Sequence, residues 1–255
     1  MGNIITFINE KGGIGKTSCC FNLAWAMSDK KRILMIDMDG QRANLTFFAG
    51  INKTDDLPTV YNILHEDKDI KDTIVSVKQN LFLIPATVNV SNISQAAKIT
   101  KMKKALDAVK KNYDYIFIDV NPTPNWTHVL SLSSSDYIII PMLPDIASLE
   151  ANKGIAESIE EILETTNPNL KVLGILFNKN TNRTNLSKQV KNVADSVAKQ
   201  LNTKVFETKI RDAIALSENI GLHVGVTQYN PKAPVSQDIM DLAKEVERRI
   251  KEVEI

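Results

Sequence analysis

Glu10-Lys11-Gly12-Gly13-Ile14-Gly15-Lys16-Thr17-Ser18 follows directly on the apolar run Ile4–Ile8 and precedes a stretch with helical periodicity. A strand, a tight glycine turn and a helix that opens on Lys-Thr together make a phosphate cradle. Successive backbone N–H groups and the positive end of the helix surround bound phosphates. Gly12, Gly13 and Gly15 let the backbone approach without side-chain clashes, and Ile14 supplies a further N–H between them. Lys16 is expected to reach the β- and γ-phosphates, and the Thr17 hydroxyl to bind Mg²⁺.

The usual form of this loop has glycine four residues before the Gly-Lys-Thr. Glu10 stands near that point, and a second lysine, Lys11, precedes the glycines. A solvated turn could contain the same residues. The order strand, glycines, Lys-Thr and helix favours the phosphate-binding reading.

The chain has 255 residues and the composition of an ordinary globular protein, without a Pro/Gly/Ser-rich linker or an internal repeat. One domain spanning 1–255 is expected, with no signal peptide, no transmembrane run and a cytoplasmic location. The two cysteines, Cys19 and Cys20, are adjacent on the helix after the cradle. Neighbours on a helix point apart, so they read as packing residues and supply neither a disulfide framework nor a spaced metal-ligand pair.

Net charge is +1, but it is unevenly distributed. Nine basic residues between Lys171 and Arg211 face only Asp195 and Glu207, and six lysines between Lys98 and Lys111 face only Asp107. The rest of the chain is correspondingly acidic, which bears on the choice of partner.

Apolar runs bounded by turn residues alternate with helix-period segments. The runs predict strands at Ile4–Ile8, Arg32–Asp37, Leu81–Pro85, Tyr115–Val120, Tyr137–Pro141, Val172–Asn178 and Lys204–Glu207. Helices are predicted near Thr17–Asp29, Ser91–Lys111, Leu149–Glu164, Asn185–Leu201 and Gln237–Val253. Continuous apolar strands alternating with helices specify a doubly wound α/β fold, a mostly parallel sheet flanked by helices. Ligands in such sheets sit beyond the carboxyl ends of the strands, where the glycine loop, Asp37, Asp39 and Asp119 all fall.

Arg32–Asp39 ends in two acids two residues apart, which in extended geometry point to the same side. Alone, such acids serve equally well as turn formers at a strand end. Beside a phosphate loop, Asp39 becomes a candidate for positioning the attacking water, with Asp37 a support near Mg²⁺. Tyr113–Asp119 is an apolar strand closed by an acid and followed by Val-Asn-Pro. Asp119 fits a carboxylate that holds Mg²⁺ directly or through water, although a capping aspartate would look the same.

Taken together, these residues resemble the ParA/MinD family of deviant-Walker-A ATPases, and most closely its ParA-type DNA partition members. The resemblance begins at Lys11–Ser18 and runs through Ile36–Gln41, Asp119–Pro122, Ser134–Pro141, Leu149-Glu150, Leu176–Asn178 and Ile210–Glu218. It implies that ATP drives two subunits into a face-to-face homodimer in which Lys11 contacts the nucleotide of the opposite subunit. It also implies catalytic roles for Asp39, Lys11 and Lys16, and Mg²⁺ handled by Thr17, Asp119 and Asp37. Asn178 is expected at the adenine edge and Ser18 near the α-phosphate. Gly40 and Asn121 stand where this family often has proline. Asn44 lies five residues after Asp39, a spacing closer to MinD.

The Asn185–Leu201 helix carries an apolar stripe of Leu186, Val190, Val193, Val197 and Leu201, with lysines outside. Lys179, Arg183, Lys188, Lys191, Lys199, Lys209 and Arg211 form a candidate footprint for DNA phosphates, without a base-reading motif. A solvated basic face is the competing reading. The expected function is a slow, nucleoid-associated, Mg²⁺-dependent ATPase, without an N-terminal DNA-binding extension, that binds DNA nonspecifically and partitions a plasmid or chromosome with a ParB-like centromere-binding adaptor. The alternative is a MinD-like, membrane-associated or protein-positioning regulator. The tail helix, with its stripe Ile239, Leu242, Val246, Ile250 and Val253, has a balanced polar face, so a membrane partner is not expected.

Overall fold

A computed structural model describes residues 2–51, 57–145, 153–181 and 188–253. Arg183, Leu149, Glu150, Asn152 and Leu186, with the expected starts of two helices, lie outside the described residues.

Seven strands form one sheet: β1 Asn3–Phe7, β2 Ile33–Met38, β3 Val75–Lys78, β4 Leu81–Ile84, β5 Tyr115–Val120, β6 Tyr137–Met142 and β7 Lys171–Phe177. Their order is β3-β4-β2-β5-β1-β6-β7, parallel throughout except for the β3–β4 pair. The central strands β2, β5 and β6 are buried at every residue, as their unbroken apolar runs predict.

Alternation along these strands divides the core in two. Ile4, Leu34, Ile36, Ile116, Ile118, Ile138 and Ile140 face one layer. Ile5, Phe7, Ile33, Met35, Tyr115, Phe117 and Ile139 face the other. The second layer is built on α1 (Lys16–Met27), α2 (Asn44–Phe48), α9 (Val226–Tyr229) and the C-terminal helix α10 (Pro234–Val253). The first is covered by α3 (Val60–His65), α4 (Ile99–Lys110), α5 (Trp126–Ser133), α6 (Lys153–Thr165) and α7 (Lys188–Gln200). The remaining helix, α8 (Ala215–Gly221), stands at the carboxyl edge of the sheet with α2. Asp37 and Asp119 share the odd-numbered parity of Met35 and Phe117. Their side chains therefore point to the α1 side, where the glycine loop lies.

Several expectations are corrected. Lys204–Glu207 is not a strand: it makes one isolated parallel bridge, Ile175 with Val205. Two backbone hydrogen bonds join it to β7, from the Ile175 N–H to the Lys204 carbonyl and from the Phe206 N–H to the Ile175 carbonyl, and α10 holds the rest. The Glu245 carboxylate accepts from the N–H groups of Glu207 (2.9 Å) and Thr208 (2.8 Å), and Arg249 donates to the carbonyls of Leu173, Lys204 and Val205. The helix expected from Ser91 starts at Ile99, because residues 88–92 form a 3₁₀ turn first. β3, an antiparallel edge strand joined to β4 through Gln79-Asn80 with Asn80 at φ 62°, carries too few apolar residues to stand out in sequence.

In α6, Ile155, Ile159 and Ile162 are buried. In α7 the stripe is rotated: Val190, Ala194, Ala198 and Leu201 are buried, with Val193 and Val197 only half-buried. Small alanines allow this helix to lie close to the sheet. The α10 stripe Ile239, Leu242, Val246 and Ile250 is buried against the second core layer. Among the described residues, no helix is long and apolar enough to cross a membrane.

Candidate nucleotide site

β1 runs between β5 and β6, so the loop after it emerges beside the end of β5, with Phe7 paired to Asp119. The loop turns on Gly13 (φ 74°) and Gly15 (φ 88°), conformations disfavoured for residues with a Cβ. At Gly15 a Cβ would also collide with the Asn178 amide. α1 then begins at Lys16 without a side-chain cap, leaving its first N–H groups directed into the cleft.

Thr17 donates its hydroxyl to Asp119 Oδ2 at 2.7 Å, while Asp119 Oδ1 is buried without a partner. Burial, then the neighbouring Asp37, pushes the Asp119 carboxyl upward, against the pull of Thr17 and Lys16. Asp37 is pushed up to about 6 by burial, despite hydrogen bonds from Thr46 and the Asp39 N–H. Both Asp37 oxygens are therefore engaged in fixing the β2–α2 loop.

Asp39 Oδ1 accepts from the N–H groups of Gln41 (2.9 Å) and Arg42 (3.3 Å), and its carboxylate acts electrostatically on Lys16. Lys16 is almost fully buried; loss of water lowers its pKa, partly offset by Asp119 and Asp39. Its Nζ reaches the Lys11 carbonyl at 3.5 Å. The Lys11 side chain is part-exposed, its ammonium 3.8 Å from Asp145.

The glycine loop, Lys16, Thr17, Ser18, Asp39 and Arg42 line a cleft of about 490 Å³ whose other wall is formed by Phe48, Ala213, Leu216 and Ile220, with Asp119 behind Thr17. One end is charged and phosphate-sized; the other is apolar enough for a base. The lone buried oxygen of Asp119 beside the Thr17 hydroxyl fits a divalent cation held partly by water and phosphate. No cluster of three His, Cys, Asp or Glu side chains makes a protein-only cage among the described residues.

Two residues at this site escape sequence reading. Asn9 donates to the Pro141 carbonyl and accepts from the Lys11 N–H, both at 2.8 Å, tying the loop to β6. His128, buried and with its pKa lowered by burial, contacts both oxygens of Asn121 through Nε2, at 2.8 and 3.1 Å. Neither has a clear local signal, because Asn9 reaches Pro141 132 residues away and His128 reaches back from α5 to the end of β5. Gly40 also gains a reason: a Cβ there would collide with the backbone of Ser91. Cys19 and Cys20 are buried in the core, and burial pushes the Cys19 thiol to about 12.

The residues grouped as a DNA footprint separate. Lys191, Lys199 and Lys209 line, with Lys204, a cavity of about 530 Å³ between α7 and the 202–209 segment. Lys188 is the first residue of α7. Arg211 is instead engaged by Asp238 at 2.6 and 2.7 Å. Lys179 lies on the glycine loop, and its neighbour Asn178 donates to the Ile14 carbonyl at 2.7 Å.

A parallel sheet with a glycine loop at its centre, a buried lysine and a Thr-Asp pair defines a P-loop nucleotide hydrolase. Residues 2–172 match the family model described as "AAA domain". The chain is 34% identical over 253 residues to the sporulation initiation inhibitor protein Soj of Bacillus subtilis, covering 96% of this chain and 98% of that protein. It is 29% identical over 252 residues to the chromosome partitioning protein ParA of Caulobacter vibrioides, covering 95% and 93%. The fold matches the septum site-determining protein MinD of Pyrococcus horikoshii, solved with Mg-ADP, at a TM-score of 0.79 and 23% identity, covering 96% of each chain. The chain belongs to the ParA/MinD family of P-loop ATPases.

Proposed function

We propose that this ATPase dimerises face to face on binding Mg-ATP, binds DNA nonspecifically as a dimer, and partitions a plasmid or chromosome with a ParB-like centromere-binding adaptor. The observation that carries the reading is the pairing of two lysines at one loop. Lys16 is buried in the cradle, whereas the Lys11 side chain, on the same loop, is part-exposed beside Asp145, where an opposing subunit could bring a second triphosphate. A cation given by a partner makes association depend on the nucleotide's charge.

Within each subunit Lys16 and the loop N–H groups hold the phosphates, and Ser18 lines the cleft beside them. Thr17 and Asp119 hold Mg²⁺, with Asp37 adding negative charge beside Asp119 from the adjacent strand. Bound Mg²⁺ would supply charge neutralisation at the phosphates. Asp39, restrained by its turn, positions water, and Asn178 is free to present its unpartnered oxygen to the base. Unassisted turnover is slow; Arg42 lines the cleft from the loop after β2, and the glycine loop itself carries no arginine.

Lys191, Lys199 and Lys209, with Lys204, offer a concentrated positive surface for a phosphate backbone. Arg183 and Lys188 adjoin them in sequence. The relative named as the chromosome partitioning protein ParA supports partition over membrane positioning, and the α10 stripe is already packed on the core. A filter-binding salt titration with ATP and with ADP tests the reading. Tight, salt-sensitive retention only with ATP is expected; equal weak retention with both nucleotides would refute DNA as the partner.

A further inference from the structure

We infer that Lys179 is a nucleotide-binding cation that reads the phosphate chain from the β7 side of the cleft, opposite Lys16. This rests on the cleft taking ATP or ADP, as proposed above.

Lys179 occupies the first position after Asn178 at the carboxyl end of β7, with φ 52°. A lysine holds this left-handed conformation only where its surroundings impose it. Here the constraint is visible on both sides. The Asn178 N–H donates to the Met142 carbonyl at 2.8 Å, and the Asn180 N–H to the Ile210 carbonyl at 2.9 Å. The Asp212 N–H returns to the Asn180 carbonyl at 3.1 Å. Clamped between β6 and the 210–212 segment, the backbone directs the lysine back over the loop.

Its Nζ donates to the Gly13 carbonyl at 2.8 Å, across 166 residues of sequence. Asn178 makes the parallel contact to Ile14. Two consecutive side chains thus hold two consecutive carbonyls of the cradle, fixing the direction of the N–H groups on its other face. Among the described residues no carboxylate forms an ion pair with Lys179, which remains exposed at the cleft wall. A full positive charge satisfied by one neutral carbonyl, beside a site for polyphosphate, gains more from a phosphate oxygen than from that carbonyl.

Lys179 also does not share the surface of the basic helix. The lysines of α7 line a separate cavity with Phe177 and Phe206, to which Lys179 does not contribute. Its role is therefore distinct from theirs, although sequence proximity groups them.

The test is ADP binding by calorimetry for the full chain and for Lys179→Ala and Lys179→Arg, with magnesium, at 50 mM and 500 mM NaCl. ADP keeps dimerisation out of the measurement. Lys179→Ala is expected to bind ADP about tenfold more weakly at low salt, with the gap narrowing to under about threefold at high salt. Lys179→Arg should remain within about threefold of the unaltered protein. Melting temperatures without nucleotide control for folding. An unchanged ADP affinity in Lys179→Ala would overturn the inference, as would a loss equal at both salts, which would make the lysine a loop brace only. If the unaltered chain ignored ADP, the nucleotide reading itself would fall instead. DNA retention at saturating ATP should be the same for Lys179→Ala and the unaltered chain, and its selective loss there would return Lys179 to the DNA footprint.

Discussion

Asp37 and Asp119 are directly paired across the parallel strands β2 and β5, side by side and both fully buried at the carboxyl end of the sheet. Two carboxylates so placed repel each other until a cation or a proton separates them. The folded protein holds protons here to a higher pH than the unfolded chain does, with Asp37 at about 6. Stability of the unliganded protein therefore falls as pH rises from the unfolded carboxylate value, about 3.9, through the folded values. Asp119→Asn is expected to raise the melting temperature by about 2–6 °C at pH 8, with the gain shrinking towards pH 5. It should also weaken Mg²⁺-dependent nucleotide binding. A gain that grows towards acid pH would contradict the sign of this linkage.

Lys16→Ala should abolish detectable ATP binding, since the residue sits in the cradle itself. Lys11→Ala should bind ATP yet remain monomeric by light scattering. Normal ATP-dependent dimerisation of that variant would remove the cross-subunit role from Lys11.

Asp39→Ala should form an ATP dimer that persists on size exclusion, with hydrolysis lowered by two or more orders of magnitude, about the range for removal of a group that positions a reactant. A variant that hydrolyses ATP normally would show that water is positioned elsewhere.

Arg211 and the α7 lysines should behave in opposite ways. Lys191→Glu with Lys199→Glu should reduce DNA retention strongly and flatten its salt slope by about one unit per lost contact. Arg211→Ala should leave DNA retention within about twofold. It should instead cost about 1 kcal/mol of stability, because its partner is the mostly buried carboxylate of Asp238.

Much of the site could be read from the sequence because its chemistry is local. The glycine loop, Asp39 and Asp119 each sit at the end of an apolar run, and the register of β1, β2 and β5 brings those ends together. Lys179 and Arg211 could not be read in that way. Their charge and position in the chain suggest one basic face, while their partners, Gly13 and Asp238, lie 166 and 27 residues away. Val205 was deceptive for a related reason. The apolar pair Val205-Phe206 looks like part of another strand, yet among the described residues the segment bonds to β7 at Ile175 alone and is otherwise held by side chains of α10.

That arrangement has a consequence for how the protein is made. Arg249 lies over Phe206 at 4.0 Å and takes three backbone carbonyls, while Glu245 binds it at 2.7 Å and holds two N–H groups. The flank of the sheet beyond β7 is thus sealed by a helix that leaves the ribosome after all seven strands have done so. A nascent chain halted before Arg249 emerges would hold a central sheet with one open border until the later turns of α10 arrive.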